Sequence, residues 1–213
     1  MVTAVPFVRE SFPADLVAKS RHFMKATLAM FPRNDFVQGV LEHLFARYPQ
    51  HAEKATNLAR IFDVEPLDLF ACNLSYDLVV GSEMACSTMA LPTPEGPMLA
   101  RNMDWFPADM IAQASCLIAE DYGVNAGFLG LVGVVTAQSH KGFALSLNAV
   151  EGQPDFEGYP MLLFLRDVLD TARDYDEALD RVQRERLLSG GIITLVGTTN
   201  HQRAIVERTP SKA

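Results

Sequence analysis

Apolar residues recur every three or four positions through the first third of the chain, and that spacing predicts helices. "DLVAKSRHFMKATLAMF" (15–31) is one such stretch, stopped by Pro32. "NDFVQGVLEHLFARYP" (34–49) opens on Asn34 and Asp35, whose short polar side chains suit a helix start, and closes at Pro49. "HAEKATNLARIFDV" and "EPLDLFACNLSYDLVVG" continue the pattern, the second with Pro66 in its first turn and Gly81 as its stop. After that the texture changes. "EMACSTMAL" and "PMLARNMDW" flank the turn-forming "PTPEGP" and read as strands. "FLGLVGVVTAQ" and "GFALSLNAV" read as a second strand pair, joined through "SHK" and Gly142. Helical spacing returns in "YPMLLFLRDVLDTA" and "YDEALDRVQRERLL". Two closing strands, "GIITLVG" and "RAIVERT", flank the polar "TTNHQ".

Helices, strands, helices, strands in blocks predict an α+β domain of layered antiparallel sheets. A doubly wound nucleotide fold would alternate strand and helix singly, and "GFLGLVG" lacks the helix that such a glycine loop requires. The 213 residues suffice for a packed core, and 49% hydrophobic with 21% charged residues is globular composition. A net charge of -8 argues against a nucleic-acid partner. No stretch approaches the roughly 20 apolar residues of a membrane span, so no stable membrane insertion is expected. The first residues, "MVTAVPFVRESFPADL", interrupt any apolar run with charges and prolines, so a cytoplasmic location is the expectation. Cys72, Cys86 and Cys116 are odd in number and widely spaced, a poor disulfide or zinc framework. Cys72 and Cys116 lie in apolar runs as packing thiols. His22, His43 and His51 on the helices read as ordinary surface or half-buried residues.

Chemistry concentrates around Cys86. A thiol becomes a nucleophile when something lowers its pKa or accepts its proton. Arg101, fifteen positions on, is a permanent cation able to stabilise a thiolate or an oxyanion, and Asp104 is a carboxylate able to orient an amine. The turn between the strands brings both back alongside the cysteine. Arg101 and Asp104 differ by an odd number, so a regular strand would point them to opposite faces unless it ends or bulges there. Against this, Cys86 also reads as a core thiol, Arg101 and Asp104 as a surface ion pair, and Asn148 as a strand-end residue. Trp105 and Phe106 fit equally the wall of an acyl pocket or the core.

"NLSYDLVVGSEMACSTMA" and "PMLARNMDW" resemble the nucleophile region of the cysteine-type N-terminal-nucleophile (Ntn) amidases. That group includes choloylglycine hydrolases, penicillin V acylases, acid ceramidase, N-acylethanolamine acid amidase and isopenicillin acyltransferase relatives. The likeness continues through "GFALSLN" and "GTTNHQRAIVERTP", covering most of the chain after Pro66. It implies an αββα sandwich, with residues 1–85 as a propeptide-like or α-subunit-like helical segment and 86–213 as the catalytic domain. It also implies self-cleavage between Ala85 and Cys86, after which the freed α-amine serves as base. Cys86 matches the nucleophile, Arg101 and Asp104 the family's arginine and aspartate, and Asn148 an oxyanion donor. No cofactor is called for, and the partner implied is a small-molecule N-acyl amide.

The family pattern has a further oxyanion asparagine well downstream. Asn200 is the tempting match, but "HQRAIVERTP" resembles the hairpin that precedes that asparagine, so a C-terminal part is expected to be lacking. Sheets left incomplete would expose an edge open to another chain, a second copy included. Three readings follow. They are a self-processing amidase or acyltransferase, an inactive relative acting as a binding or assembly module, and an unrelated cysteine hydrolase pairing Cys86 with His140 or His201.

Overall fold

The computed structural model describes residues 5–9, 11–32, 34–78, 85–105, 107–210 and 212. Strand β1 (Phe7–Val8) precedes helices α1 (Ala14–Ala29), α2 (Asp35–Arg47), α3 (Pro49–Phe62), α4 (Pro66–Asn73) and α5 (Ser75–Leu78). Then come β2 (Ala85–Thr93), β3 (Gly96–Asp104), α6 (Ala108–Ala114), β4 (Ser115–Glu120), β5 (Gly123–Phe128), β6 (Thr136–Ser139) and β7 (Phe143–Asn148). The chain closes with α7 (Met161–Thr171), α8 (Tyr175–Arg184), β8 (Gly191–Val196) and β9 (Arg203–Arg208). The mixed α+β class read from the sequence is the observed one. Gly81 and Phe106 lie outside the described residues.

Local chemistry sets the boundaries. The Asn34 side chain accepts the Val37 N–H at 2.9 Å, capping α2 as its residue type predicts. The predicted helix over 65–81 is broken at Leu74, and Asn73 supplies the reason. Its buried carboxamide donates to Leu69 O and Gly130 O, and accepts the Val132 and Gly133 N–H groups at 2.6 and 3.0 Å. The same bonds explain a second departure: 128–138 is not one strand, because Asn73 holds the backbone of 130–133 as a loop between β5 and β6. A Cβ on Gly133 would come within 2.6 Å of Leu162, so the loop packs that close only through glycine. Strands β1, β4 and β5 were not read from the sequence.

Seven strands form one sheet in the order β1-β4-β5-β6-β7-β8-β9, and β2-β3 form a second. All pairs are antiparallel except β1 with β4, a correction to the all-antiparallel expectation. Partners across a ladder share a face, so Ile118, Asn125, Ala137, Leu145 and Leu195 lie in one row. Leu145 and Leu195 pack into a core with Phe164, Leu165 and Val182 of α7 and α8, while Ile118 joins a core built with α1–α4. The helices therefore cover this face. On the other face Thr136, Ser146 and Thr194 align, and the β2-β3 hairpin packs there over β7 and β8. Among the described residues the order is helices, large sheet, hairpin, and Met89 and Met98 on the hairpin's outer face are 56% and 46% exposed.

His51 corrects another expectation. It is 1% exposed, its Nε2 lies 2.8 Å from Tyr159 Oη, and burial drives its pKa down to about 4. Asp77, in the short helix before the undescribed 79–84, is the other buried titratable group of note. It accepts the Met161 N–H at 3.0 Å and the Ser189 hydroxyl, and burial pushes its pKa up to about 7. The folded chain therefore keeps a proton that the unfolded chain releases near 3.8. Between those values the folded state binds more protons, so the Asp77 contribution to stability falls as pH rises. The penalty is absent below the lower value, complete above the upper, and at most about 4 kcal/mol. Urea denaturation of wild type and Asp77→Asn between pH 4 and 8 should show a stability difference that grows in the variant's favour with pH.

Candidate active site

The β2-β3 ladder runs unbroken from Ala85↔Asp104 to Thr93↔Gly96, with Cys86 opposite Met103 and Thr88 opposite Arg101. Side chains alternate along each strand, so Cys86, Thr88, Arg101 and Met103 face the large sheet. Arg101 Nη2 donates to Cys86 Sγ at 3.2 Å and to Leu147 O at 2.5 Å. Its Nη1 donates to Val135 O at 3.3 Å and to the Thr136 hydroxyl, and Nε–H is buried with no partner. Burial lowers the Arg101 pKa and the neighbouring Cys86 raises it back, but a guanidinium stays charged under either influence. Its role as surface ion-pair partner of Asp104 is therefore excluded. A fixed cation sits against the thiol.

Asn148 ends β7 beneath the start of β2. Its Oδ1 accepts the Thr88 hydroxyl at 2.6 Å, and its Nδ2 donates to the Cys86 carbonyl at 3.5 Å. The Ser146 hydroxyl in turn donates to Thr88 Oγ1 at 3.4 Å. Cys86, Arg101 and Asn148 are thus brought together, the first two by one hairpin and the third by the sheet under it.

Asp104 is not brought to the thiol. With no bulge in the ladder, its exposed carboxylate lies on the opposite face, accepting the Asn102 amide at 3.2 and 3.0 Å. Its backbone nevertheless stands directly opposite Ala85, beside the Ala85–Cys86 bond. Asn200 is also elsewhere. Its carboxamide clamps the far end of β2, accepting Thr93 N–H at 3.3 Å and donating to Thr93 O at 2.8 Å. That is about 23 Å along the strand from Cys86. Asn200→Ala should cost about 1–2 kcal/mol of stability, measured by urea denaturation, and leave the chemistry at Cys86 unchanged. His201 adjoins this clamp, and His140 sits in the β6–β7 turn, at the opposite end of β7 from Asn148; both are exposed. A Cys86–His pair is excluded. Trp105 is 4% exposed in the core, its ring 6.2 Å from that of Tyr76. Cys72 and Cys116 are buried packing thiols, with pKa values pushed up by burial to about 12 and about 11.

Sequence reasoning missed Thr88, Thr136 and Ser146. Thr88 was findable, because two residues beyond Cys86 in a strand lies on the same face. Thr136 and Ser146 meet the site only through sheet register. Beside β3, where the hairpin leaves β4–β6 uncovered, a groove of about 750 Å³ is lined by Phe7, Met98, Leu99, Leu117, Val124 and Phe143 among others.

Comparison with known families matches residues 91–213 to acyl-coenzyme A:6-aminopenicillanic acid acyl-transferase, a match that begins just past Cys86. Among solved structures, the fold is similar to the Caenorhabditis elegans ortholog of N-acylethanolamine-hydrolyzing acid amidase, with a TM-score of 0.54 and 22% identity. That similarity covers 60% of this chain and 61% of the other. A search of curated proteins gave no match.

Proposed function

The chain belongs to the acyl-coenzyme A:6-aminopenicillanic acid acyl-transferase family of cysteine Ntn hydrolases, and on that premise we propose that it is a self-processing cysteine amidase acting on a linear, non-peptide N-acyl amide. The observation that carries the reading is the Cys86 thiol held 3.2 Å from Arg101. It follows Ala85 at the start of a strand, and its carbonyl is held by Asn148.

In self-processing, Cys86 Sγ adds to the Ala85 carbonyl carbon and the Ala85–Cys86 C–N bond breaks. A thioester forms and the α-amine of Cys86 is freed. Water then releases the Ala85 carboxylate and the thiol. In turnover the amine takes the thiol proton and passes it to the departing amine of the substrate. An α-amine suits this, since its ordinary pKa of about 7.7–8.0 lies near working pH. Arg101 stabilises the thiolate and Asn148 the oxyanion. Asp104 would hold the new amine by turning across the strand end once Ala85 leaves. Residues 1–85 would stay docked after the cut, because α1–α4 share a core with Leu163 of α7 and Ile118 of β4.

The apolar groove beside β3 would take the acyl chain, and the net charge of -8 disfavours polyanionic substrates. Three free thiols fit the cytoplasmic setting that belongs to the same proposal. No helix among the described residues is long and apolar enough to cross a membrane. The matched family's description favours a second reading, transfer of the acyl group to an amine in place of water. The test is an N-acyl amide offered with and without a competing primary amine. An acyl mass adduct on Cys86, followed by free acid, supports hydrolysis, and a new amide supports transfer. Neither adduct nor product from a panel of penicillin V, conjugated bile acids, N-acylethanolamines and acyl-homoserine lactones would overturn both.

A further inference from the structure

An asparagine side chain can present either its oxygen or its nitrogen to a site, and only the nitrogen end can donate to a developing oxyanion. Something must choose. We propose that the Thr88 hydroxyl is a positioning residue that fixes the Asn148 carboxamide with its N–H groups toward the reacting carbonyl; the inference rests on the amidase reading of the same site.

Thr88 has a single hydroxyl proton, and it goes to Asn148 Oδ1 at 2.6 Å, the shorter of the two contacts that Asn148 makes. A lone pair of Thr88 Oγ1 accepts the hydroxyl of Ser146, which is fully buried under the hairpin. That donor disfavours reversal of the Thr88 proton. At the other end of the carboxamide the Cys86 carbonyl can only accept, and it receives one Nδ2–H at 3.5 Å. Both ends demand the same orientation. The second Nδ2–H is left for an incoming carbonyl oxygen. Thr88 lies two residues past Cys86 on one strand and opposite Arg101 on the next. Nucleophile, cation and the group that orients the oxyanion donor are therefore carried by one hairpin, while the donor itself comes from the sheet beneath. Any displacement of Cys86 along its strand moves the hydrogen bond that aims Asn148.

Thr88→Val keeps the β-branched shape without the hydroxyl, and Thr88→Ser keeps the hydroxyl. In ¹⁵N spectra of the full chain, the Asn148 side-chain NH₂ pair is identified by its loss in Asn148→Ala. Thr88→Ser should leave its shifts and slow solvent exchange as in wild type, and Thr88→Val should move the shifts and speed exchange. In turnover of an N-acyl amide, Thr88→Val should lower kcat on the order of 10–100-fold with KM unchanged, and Thr88→Ser should stay within about threefold of wild type. The Thr88→Val/Asn148→Ala double variant should fall no further than Asn148→Ala alone. An unmoved Asn148 signal in Thr88→Val, an equal loss in Thr88→Ser, or additive losses in the double variant would overturn the proposal. A wild type inert toward every N-acyl amide would overturn the amidase reading instead, with the Asn148 signal still deciding whether Thr88 positions the carboxamide.

Discussion

Arg101→Met is expected to lower turnover of an N-acyl amide on the order of 10²–10³-fold, the effect of losing a preorganised charge at the reacting atoms. Methionine keeps the stem's volume and removes every donor. The loss is not confined to catalysis. Leu147 O and Val135 O each accept a guanidinium N–H, and losing these bonds should cost about 1–3 kcal/mol in urea denaturation. Arg101→Lys should rescue little, because one ammonium cannot span the thiol, two carbonyls and the Thr136 hydroxyl that the planar fork reaches. Full turnover in Arg101→Met would remove the cation from the mechanism.

Brief iodoacetamide treatment of the folded chain at neutral pH is expected to alkylate Cys86 alone. Alkylation needs thiolate, and burial pushes the Cys72 and Cys116 pKa values up to about 12 and about 11, where almost none exists at neutral pH. Cys86 is only half-buried, with Arg101 against its sulfur. Peptide mass mapping should find the label there, and Cys86→Ala should take up none while losing at least about 10⁴-fold in turnover. Equal labelling of the three cysteines would deny Cys86 its special environment.

Much of this was legible in the sequence because it depended on neighbours along the chain. The Asn34 cap, the hairpin around 92–97 and the packing of Cys72 and Cys116 are local matters of residue type and spacing. The pairing of Cys86 with Arg101 also followed, since a tight turn fixes which residues of two strands share a face. The even or odd spacing of residues carried real information: Asp104, three beyond Arg101, does turn away as a regular strand requires. What failed was long-range. Asn73 rewrites the conformation of 130–133 from nearly 60 residues away, turning a strand-like apolar run into a loop, and nothing in that run announces it. Asn200 is not among the failures: the likeness of "HQRAIVERTP" to an earlier hairpin already argues against it as the oxyanion donor, and its carboxamide completes the Thr93 backbone instead. Burial of His51 depended on Tyr159 arriving from the far side of the fold.

The central claim is that Cys86 becomes a chain terminus. Intact mass and N-terminal sequencing of the purified full chain, incubated from pH 4.5 to 7.5, test it most directly. The account predicts two associated pieces, residues 1–85 and 86–213, with a new sequence beginning at Cys86, and a single uncut chain for Cys86→Ala. A wild type that stays one chain at every pH, or a cut at any bond other than Ala85–Cys86, would contradict it.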